Sequence, residues 1–228
     1  MWHTGRCGSS VVADLVSRDG RIYWAGEILE RPSNEWSGLS GGEALHRCRK
    51  AINRRRYEAG RSPFGFEMKL WHHDRLGLTA PDMYGLTTEL GFGRHVVLER
   101  RNHLRQHVSG ELAMLTGRYH RREGSQASTA TLTVDIERVI RGADRYEQYH
   151  ADLRAMLTGH LYLTYEDDIE ADPSAAYAKV MRHCGIEPGH VTTDMRKTTA
   201  RPLEDVIENF AEVADRLNGT RHEWMLGE

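Results

Sequence analysis

The sequence predicts an α/β fold with three layers and a central, mainly parallel sheet. Short apolar runs alternate with helical patterns, and the strands repeatedly lead into turns that open helices. A chain of 228 residues is long enough to bury about 70% of its unfolded surface, so we expect a single domain over residues 1–228. Ligands of such sheets bind outside the carboxyl ends of the strands, and candidate site residues are therefore sought there.

Composition argues against several classes of protein. Hydrophobic residues make up 39% and charged residues 28% of the chain, which is typical of a globular protein rather than a disordered one. A net charge of −2 argues against a general nucleic-acid binder. No apolar run is long enough to span a bilayer, and the first residues leave no room for a signal peptide. The cysteines form no CxxC pair and no disulfide framework, so we expect a cytoplasmic protein.

Hydrophobic periodicity and turn residues predict the order of the elements. The first half of the chain predicts strand 2–4, helix 9–17, strand and loop 21–29, surface loop 31–42, helix 43–59, strand 64–70 and helix 81–90. In the second half we expect strand 96–98 and then a helix with Leu104, Val108, Leu112 and Leu115 on its apolar face. Strand 131–134, a helix capped by Asp135 and strand 160–165 follow. The chain is then expected to form a helix opened by Asp172-Pro173, an irregular stretch 189–203 and a last helix ending near Leu217.

The segment Thr4-Gly5-Arg6-Cys7-Gly8-Ser9-Ser10, which precedes an apolar helix, predicts an anion-binding loop. Its glycines allow a tight turn with backbone N–H groups near a ligand, and its serines would cap the helix and offer hydroxyl donors. The helix N-terminus and Arg6 add positive charge. The loop lacks the G-x-x-x-x-G-K-[ST] pattern of a Walker A motif. An ordinary serine-capped turn has a similar composition, so the loop alone does not identify a function.

Two further segments end predicted strands in residues that suit a nucleotide. Arg101 is followed eight residues later by Ser109, and a guanidinium binds phosphate oxygens through bidentate hydrogen bonds. The strand before Tyr165-Glu166-Asp167 would place an aromatic ring and carboxylates at the functional edge of the sheet. A solvated arginine-rich helix start and a buried tyrosine beside a capping acid are the structural alternatives.

Taken together and in this order, the segments resemble the sulfotransferases that use 3′-phosphoadenosine 5′-phosphosulfate (PAPS). Residues 4–10 are similar to the family's 5′-phosphosulfate loop, Arg101 with Ser109 to its 3′-phosphate motif, and residues 165–167 to its Tyr-Glu-Asp segment. Three more stretches resemble the bacterial nodulation-type carbohydrate sulfotransferases: Gly26-Glu27-Ile28-Leu29, Leu104-Arg105-Gln106 and residues 209–226. The resemblance spans nearly the whole chain and implies a P-loop-like phosphosulfate-binding loop.

The resemblance also implies roles for individual residues. Arg6 would contact the 5′-phosphosulfate and steady the leaving phosphate, and Tyr165 would lie near the adenine. The remaining donor contacts would come from Cys7, Gly8, Ser9 and Ser10 around the 5′ group, and from Arg101, Ser109, Arg196 and Lys197 at the 3′-phosphate. The chain departs from the family pattern at Cys7, where the loop usually has Ser, at Val11, where some relatives have a Trp that stacks on adenine, and at Thr198, where a Gly often follows the basic pair.

The implied reaction moves a sulfuryl group from PAPS to a hydroxyl of a carbohydrate or glycolipid acceptor by in-line transfer, without a metal. Glu27 follows a short apolar stretch and stands where similar glycan sulfotransferases have a Glu, so we predict that Glu27 is the general base. His72 or His73 is the alternative base, because aryl and steroid sulfotransferases have a catalytic His after a similar strand.

Other functions fit parts of the sequence. A nucleotide-dependent kinase would lack the Walker lysine and an obvious Asp ligand for Mg²⁺. His103 and His107 have a metal-ligand spacing, but no third ligand is evident. A module that holds nucleotide without turnover is a further alternative, given the cysteine in the loop.

The sequence leaves the identity of the acceptor and the oligomeric state open. We expect a small-molecule or glycan acceptor and no nucleic-acid partner, and a homo-oligomer is left open. Residues 31–42 and 119–129 are expected to shape the acceptor site. Four aromatic residues could stack on sugar rings or serve in packing: Trp24, Trp36, Trp71 and Tyr119.

Overall fold

A computed structural model describes residues 1–36, 38–126 and 128–227. Ser37 and Ala127, which fall within the two segments expected to shape the acceptor site, lie outside the described residues. The strands are β1 (Trp2–His3), β2 (Tyr23–Trp24), β3 (Phe64–Gly65), β4 (Met68–Lys69), β5 (Val96–Glu99), β6 (Arg121–Arg122), β7 (Leu161–Thr164) and β8 (Met195–Arg196). The α-helices are α1 (Ser9–Asp19), α2 (Glu30–Glu35), α3 (Gly41–Glu58), α4 (Leu70–Arg75), α5 (Ala80–Glu89), α6 (His103–Thr116), α7 (Ile136–Met156), α8 (Pro173–His183) and α9 (Phe210–Leu217).

The chain groups into two compact units. The first unit consists of Met1–Glu99 and Tyr149–Thr192, and the second consists of Arg100–Gln148 and Thr193–Glu228. The expectation of a single domain over residues 1–228 stays a prediction. None of the described helices combines the length and the apolar character that crossing a bilayer requires.

A four-stranded parallel sheet, in the order β4-β1-β5-β7, forms the centre of the first unit and confirms the predicted α/β class. Trp2 of β1 lies opposite Met68 of β4 on one side and Val97 of β5 on the other, and Val96 lies opposite Leu161 of β7. The carboxyl ends of parallel strands meet at one edge of a sheet. Residues 4–10, 70–75 and 165–170, which follow β1, β4 and β7, therefore lie at this edge.

Apolar residues at helical spacing fix α1 and α8 in the first unit. Val12, Leu15 and Val16 of α1 are buried in one cluster with Leu98 and Leu163 of the sheet and with apolar residues of α8. Each such side chain contributes about 1.5–3 kcal/mol by leaving water. The predicted Asp172-Pro173 start of α8 is confirmed, because the Asp172 carboxylate accepts the backbone N–H groups of Ser174 and Ala175.

The second unit has its own core around α6 and α9. Leu104, Val108 and Leu112 are buried in one cluster with Val213 and Leu217. The predicted Asp135 cap is present, because its carboxylate accepts the backbone N–H of residue 138 at the start of α7. At the start of α6 the Asn102 side chain accepts the backbone N–H of residue 105, a cap that was not predicted from the sequence.

Several local predictions are wrong. The stretch 31–42 is not all loop, because α2 covers its first residues, and strand 64–70 is two short strands followed by α4. Each of these helices is six residues long, too short to show a helical repeat in the sequence. Strand 131–134 reduces to one bridge between Leu132 and Ile207. Leu115 is 65% exposed, because the buried row of α6 ends at Leu112.

Candidate active site

The loop between β1 and α1 is built on successive left-handed backbone positions. Gly5, Arg6 and Gly8 have φ angles of +76°, +52° and +85°. A positive φ is uncommon for a residue with a side chain, so Arg6 holds a strained conformation of the kind that clusters at ligand sites. Gly8 is the residue before α1, and Ser9 and Ser10 are its first two residues. The expectation that the serines cap the helix is therefore wrong, since they lie one and two positions beyond the cap.

Close packing also requires the two glycines of this loop. A Cβ atom on Gly8 would lie 2.7 Å from Cγ2 of Ile169 and 3.0 Å from Cδ2 of Tyr165. A Cβ atom on Gly5 would overlap the indole ring of Trp71. The structure thus brings Tyr165, which the sequence predicts at the nucleotide, against the loop from one strand end and Trp71 from another. The side chain of Cys7 is buried in the core, which leaves its backbone N–H as the group it can offer a ligand.

A chain of polar contacts ties the loop to the neighbouring strands. The Gly5 N–H donates to Nδ1 of His3 at 3.1 Å, and Nε2 of His3 lies 3.2 Å from Oε2 of Glu67. The other oxygen of Glu67 accepts the indole N–H of Trp24 at 3.1 Å. The backbone N–H of Glu67 donates to the Gly26 carbonyl at 2.9 Å. Glu67 therefore links the loop of residues 4–10 to the turn that carries Glu27.

Protonation states follow from these partners. Because the Gly5 N–H occupies Nδ1, the proton of the neutral ring stands on Nε2, and a second proton would break the bond to Gly5. Burial disfavours the charged form of Glu67, but the contacts with His3 and Trp24 outweigh it and lower the pKa of the carboxyl to about 2.

We expect Glu67→Gln to lower the free energy of unfolding by about 1–3 kcal/mol near neutral pH, because the charged partner of the buried His3 ring and of the Trp24 indole N–H is lost. The lowered pKa means that the Glu67 carboxylate stabilises the fold fully above about 4.5 and loses this effect as pH falls toward about 2. The stability gap between wild type and variant should therefore shrink on acidification.

Denaturant unfolding at a series of pH values measures this gap. Glu89→Gln is the matched control, since Glu89 forms an exposed ion pair with Arg49 and should cost about 0–1 kcal/mol. A gap that stays constant from neutral pH down to about pH 3 would contradict the assigned role of Glu67.

Glu27, the predicted base, stands beside the loop at the same edge of the sheet. The turn that contains Glu27 follows β2. The Glu27 carboxylate forms an ion pair with the ammonium of Lys69, the last residue of β4. That ammonium lies 4.8 Å from the centroid of a Trp71 ring, and the Trp71 indole covers Gly5. Two side chains, Lys69 and Trp71, therefore connect the Glu27 carboxylate to the loop of residues 4–10.

Glu30, one helical turn further on, anchors this arrangement. Its carboxylate accepts from Nε1 of Trp71 at 3.1 Å, from Nε2 of His72 at 2.8 Å and from a guanidinium N–H of Arg75 at 3.2 Å. Burial opposes the charge, but these donors and Lys69 outweigh it and lower the pKa of Glu30 to about 2. Sequence reasoning assigned no role to Glu30 or Lys69, although the place of Lys69 at a predicted strand end was a usable signal.

The two histidines that could replace Glu27 as base are buried. Nδ1 of His72 accepts the backbone N–H of Lys69 at 3.2 Å, so its Nε2–H donates to Glu30. Burial lowers the pKa of His72 to about 4, and its side chain is 0% exposed. Nε2 of His73 lies 3.5 Å from the Tyr149 hydroxyl, and His73 is also buried. This environment favours Glu27, which is partly exposed, over either histidine.

Among the described residues, Glu27, Glu30 and His72 form a group whose potential metal-ligating atoms lie within 4.8 Å of one another. The Lys69 ammonium contacts the Glu27 carboxylate and lies 3.5 Å from that of Glu30, so a cationic group of the protein already stands between the two acids. Over the same described residues, His103 and His107 join no such group. Nδ1 of His103 instead lies 3.0 Å from the Gln106 side-chain oxygen.

In the second unit the structure places one of the predicted 3′-phosphate residues, Ser109, beside Thr198. The Ser109 hydroxyl lies 3.4 Å from that of Thr198, which directly follows Lys197. Both hydroxyl-bearing residues line a pocket of about 340 Å³ whose wall also includes Arg118 and Arg121. Arg101 stands one residue before the cap of α6 and is exposed.

Arg196 is engaged elsewhere in this unit. Its guanidinium forms an ion pair with Glu123 at 2.6 Å. The Lys197 carbonyl accepts a hydrogen bond from Arg121. The role of the Arg196-Lys197 pair at a phosphate stays a prediction, as do those of Arg101 and Ser109.

Comparison with known proteins provides no family assignment. No protein-family model matches the chain, and no curated protein matches it. The resemblance to PAPS sulfotransferases therefore rests on the ordered sequence motifs.

Proposed function

We propose that the protein is a PAPS-dependent sulfotransferase that transfers a sulfuryl group to a hydroxyl of a carbohydrate or glycolipid acceptor. One observation supports the proposal: the partly exposed carboxylate of Glu27 is connected through Lys69 and Trp71 to the glycine-rich loop of residues 4–10 at the carboxyl edge of a parallel sheet. Lys69 contacts Glu27, and Trp71 contacts both Lys69 and Gly5. The proposed setting is the cytoplasm.

The donor would be held by its charged groups. The 5′-phosphosulfate would be bound by Arg6, by the backbone N–H groups of Cys7 and Gly8 and by the hydroxyls of Ser9 and Ser10. The N-terminus of α1 adds partial positive charge there. Tyr165 is the proposed neighbour of the adenine. The proposal assigns the 3′-phosphate to Arg101 and Ser109, with Arg196 and Lys197 as further candidates.

The proposed step is an in-line displacement at sulfur. The acceptor oxygen forms a bond to sulfur while the bond from sulfur to the 5′-phosphate oxygen breaks, and 3′-phosphoadenosine 5′-phosphate leaves. The acceptor proton passes to the Glu27 carboxylate, a contribution of about 10²–10⁴ in rate. Arg6 and the helix N-terminus stabilise the negative charge that grows on the leaving phosphate. The residues proposed for these roles supply charge and position, and no covalent intermediate is needed.

Transfer assays with PAPS and with ATP, each with and without EDTA, test the proposed activity. We expect transfer from PAPS to a glycan mixture, no transfer from ATP and no effect of EDTA. Transfer from ATP that EDTA abolishes would identify a kinase and overturn the proposal. Binding of the PAPS product without any transfer to any acceptor would identify a nucleotide-binding module.

A further inference from the structure

We propose that the groove between α3 and the turn that carries Glu27 binds an anionic saccharide. If the protein is the sulfotransferase proposed above, this saccharide is its acceptor. Binding itself does not depend on that function and is measured separately.

The position of the groove connects it to the predicted base. It has a volume of about 830 Å³ and is lined by Ala25 and Ile28, the residues on either side of Gly26 and Glu27. Its other walls are formed by Trp36 and by one side of α3. Ligand pockets commonly measure about 300–1,000 Å³, so this groove is large enough for a short saccharide.

The charge of α3 favours an anion. The helix carries six Arg or Lys residues and two Glu residues, although the whole chain has a net charge of −2. Glu43 already pairs with Arg47 and Glu58 with Arg55. Lys50 lines the groove, is exposed, and has no acidic partner among the residues that the structure describes. Four Arg or Lys residues and three Glu residues line the groove, so it keeps an excess of one positive charge: Arg47, Lys50, Arg54 and Arg55 against Glu35, Glu43 and Glu58.

Trp36 supplies the feature that favours a sugar over another anion. Its half-buried indole lines the groove, and the Arg47 guanidinium lies 6.0 Å from the centroid of its ring. An aromatic face packs against the C–H face of a sugar ring, while the Lys50 ammonium in the same groove can bind a carboxylate or sulfate. The combination suits a sugar that carries an acidic group, such as a uronate.

Equilibrium titration without PAPS tests the binding. The probes are a tetramer of galacturonic acid, the neutral maltotetraose, and a four-nucleotide single-stranded DNA. We expect the galacturonate tetramer to bind at least about tenfold more tightly than maltotetraose at low salt, with the difference falling as salt rises. Equal affinity for the charged and neutral sugars, or tighter binding of the DNA than of the acidic sugar, would overturn the proposal.

Two neighbouring residues of α3 provide matched variants. Lys50→Ala should weaken binding of the galacturonate tetramer about fivefold or more, because Lys50 lines the groove. Arg49→Ala removes the same charge outside the groove, where Arg49 pairs with Glu89, and should change the affinity less than about twofold. Trp36→Ala should weaken binding and Trp36→Phe should restore part of it. Equal effects of the Lys50 and Arg49 changes would also overturn the proposal.

Failure of this inference and failure of the proposed function give different results. If the protein binds the acidic tetramer specifically but does not sulfate it, the proposal for the groove stands and the proposed sulfotransferase activity fails. If the protein sulfates a neutral sugar but does not bind the acidic tetramer, the proposed activity stands and the proposal for the groove fails.

Discussion

Glu27→Gln is expected to lower kcat for sulfuryl transfer by about 10²–10⁴-fold while the affinity for 3′-phosphoadenosine 5′-phosphate stays within about twofold. The amide keeps the shape of the side chain and can still accept a hydrogen bond from Lys69, but it cannot take up the acceptor proton at neutral pH. Steady-state kinetics with PAPS and calorimetry with the product nucleotide measure the two quantities separately.

Glu89→Gln is the control for this variant, because it removes an ion-paired carboxylate from another surface of the same unit. We expect it to leave kcat unchanged. A near-normal kcat in Glu27→Gln would show that Glu27 is not the base. His72→Gln and His73→Gln would then be the next variants to measure. Loss of activity in one of them without loss of stability would identify that histidine as the base.

Arg6→Ala is expected to lower kcat/KM by about 10²–10³-fold, because the variant removes the positive charge nearest to the proposed leaving phosphate. Arg6→Lys should recover part of the loss, since it restores the charge without the paired donors of the guanidinium. Arg101→Ala should chiefly weaken nucleotide binding, with a smaller effect on kcat. The three variants together separate charge stabilisation at the leaving group from binding of the donor.

Arg18→Ala is the matched control, since Arg18 lies near the other end of α1 in an exposed ion pair with Asp14. It should leave kcat/KM within about twofold. An Arg6→Ala enzyme that retains most of its kcat/KM would contradict the assignment of residues 4–10 as the loop that holds the 5′-phosphosulfate.

The sequence predicted the elements whose local signals are strong. The Asp172-Pro173 start of α8 and the Asp135 cap of α7 are encoded within a few neighbouring residues, and the structure confirms both. The α2 and α4 helices were missed because each is only six residues long. The cap position of α1 is taken by Gly8 and not by a serine, because the loop ends in a turn whose last residue has a positive φ.

The network around the predicted base could not be read from the sequence. Glu30 and His72 are 42 residues apart in the chain, and their contact follows from the positions of α2 and α4 in the folded unit. The sequence likewise could not rank Glu27 against His72, since both side chains are chemically suited to accept a proton. Burial makes the difference, because it lowers the pKa of His72 to about 4 and closes both ring nitrogens in hydrogen bonds.

Titration calorimetry with 3′-phosphoadenosine 5′-phosphate, repeated at two temperatures, tests the central claim most directly. We predict one site per chain and an affinity at least about tenfold higher than for 5′-AMP, since each charge-assisted contact to the 3′-phosphate contributes about 1.5–3 kcal/mol. Arg6→Ala and Arg101→Ala should each weaken this binding. No binding at either temperature, or equal affinities for the two nucleotides, would contradict the account.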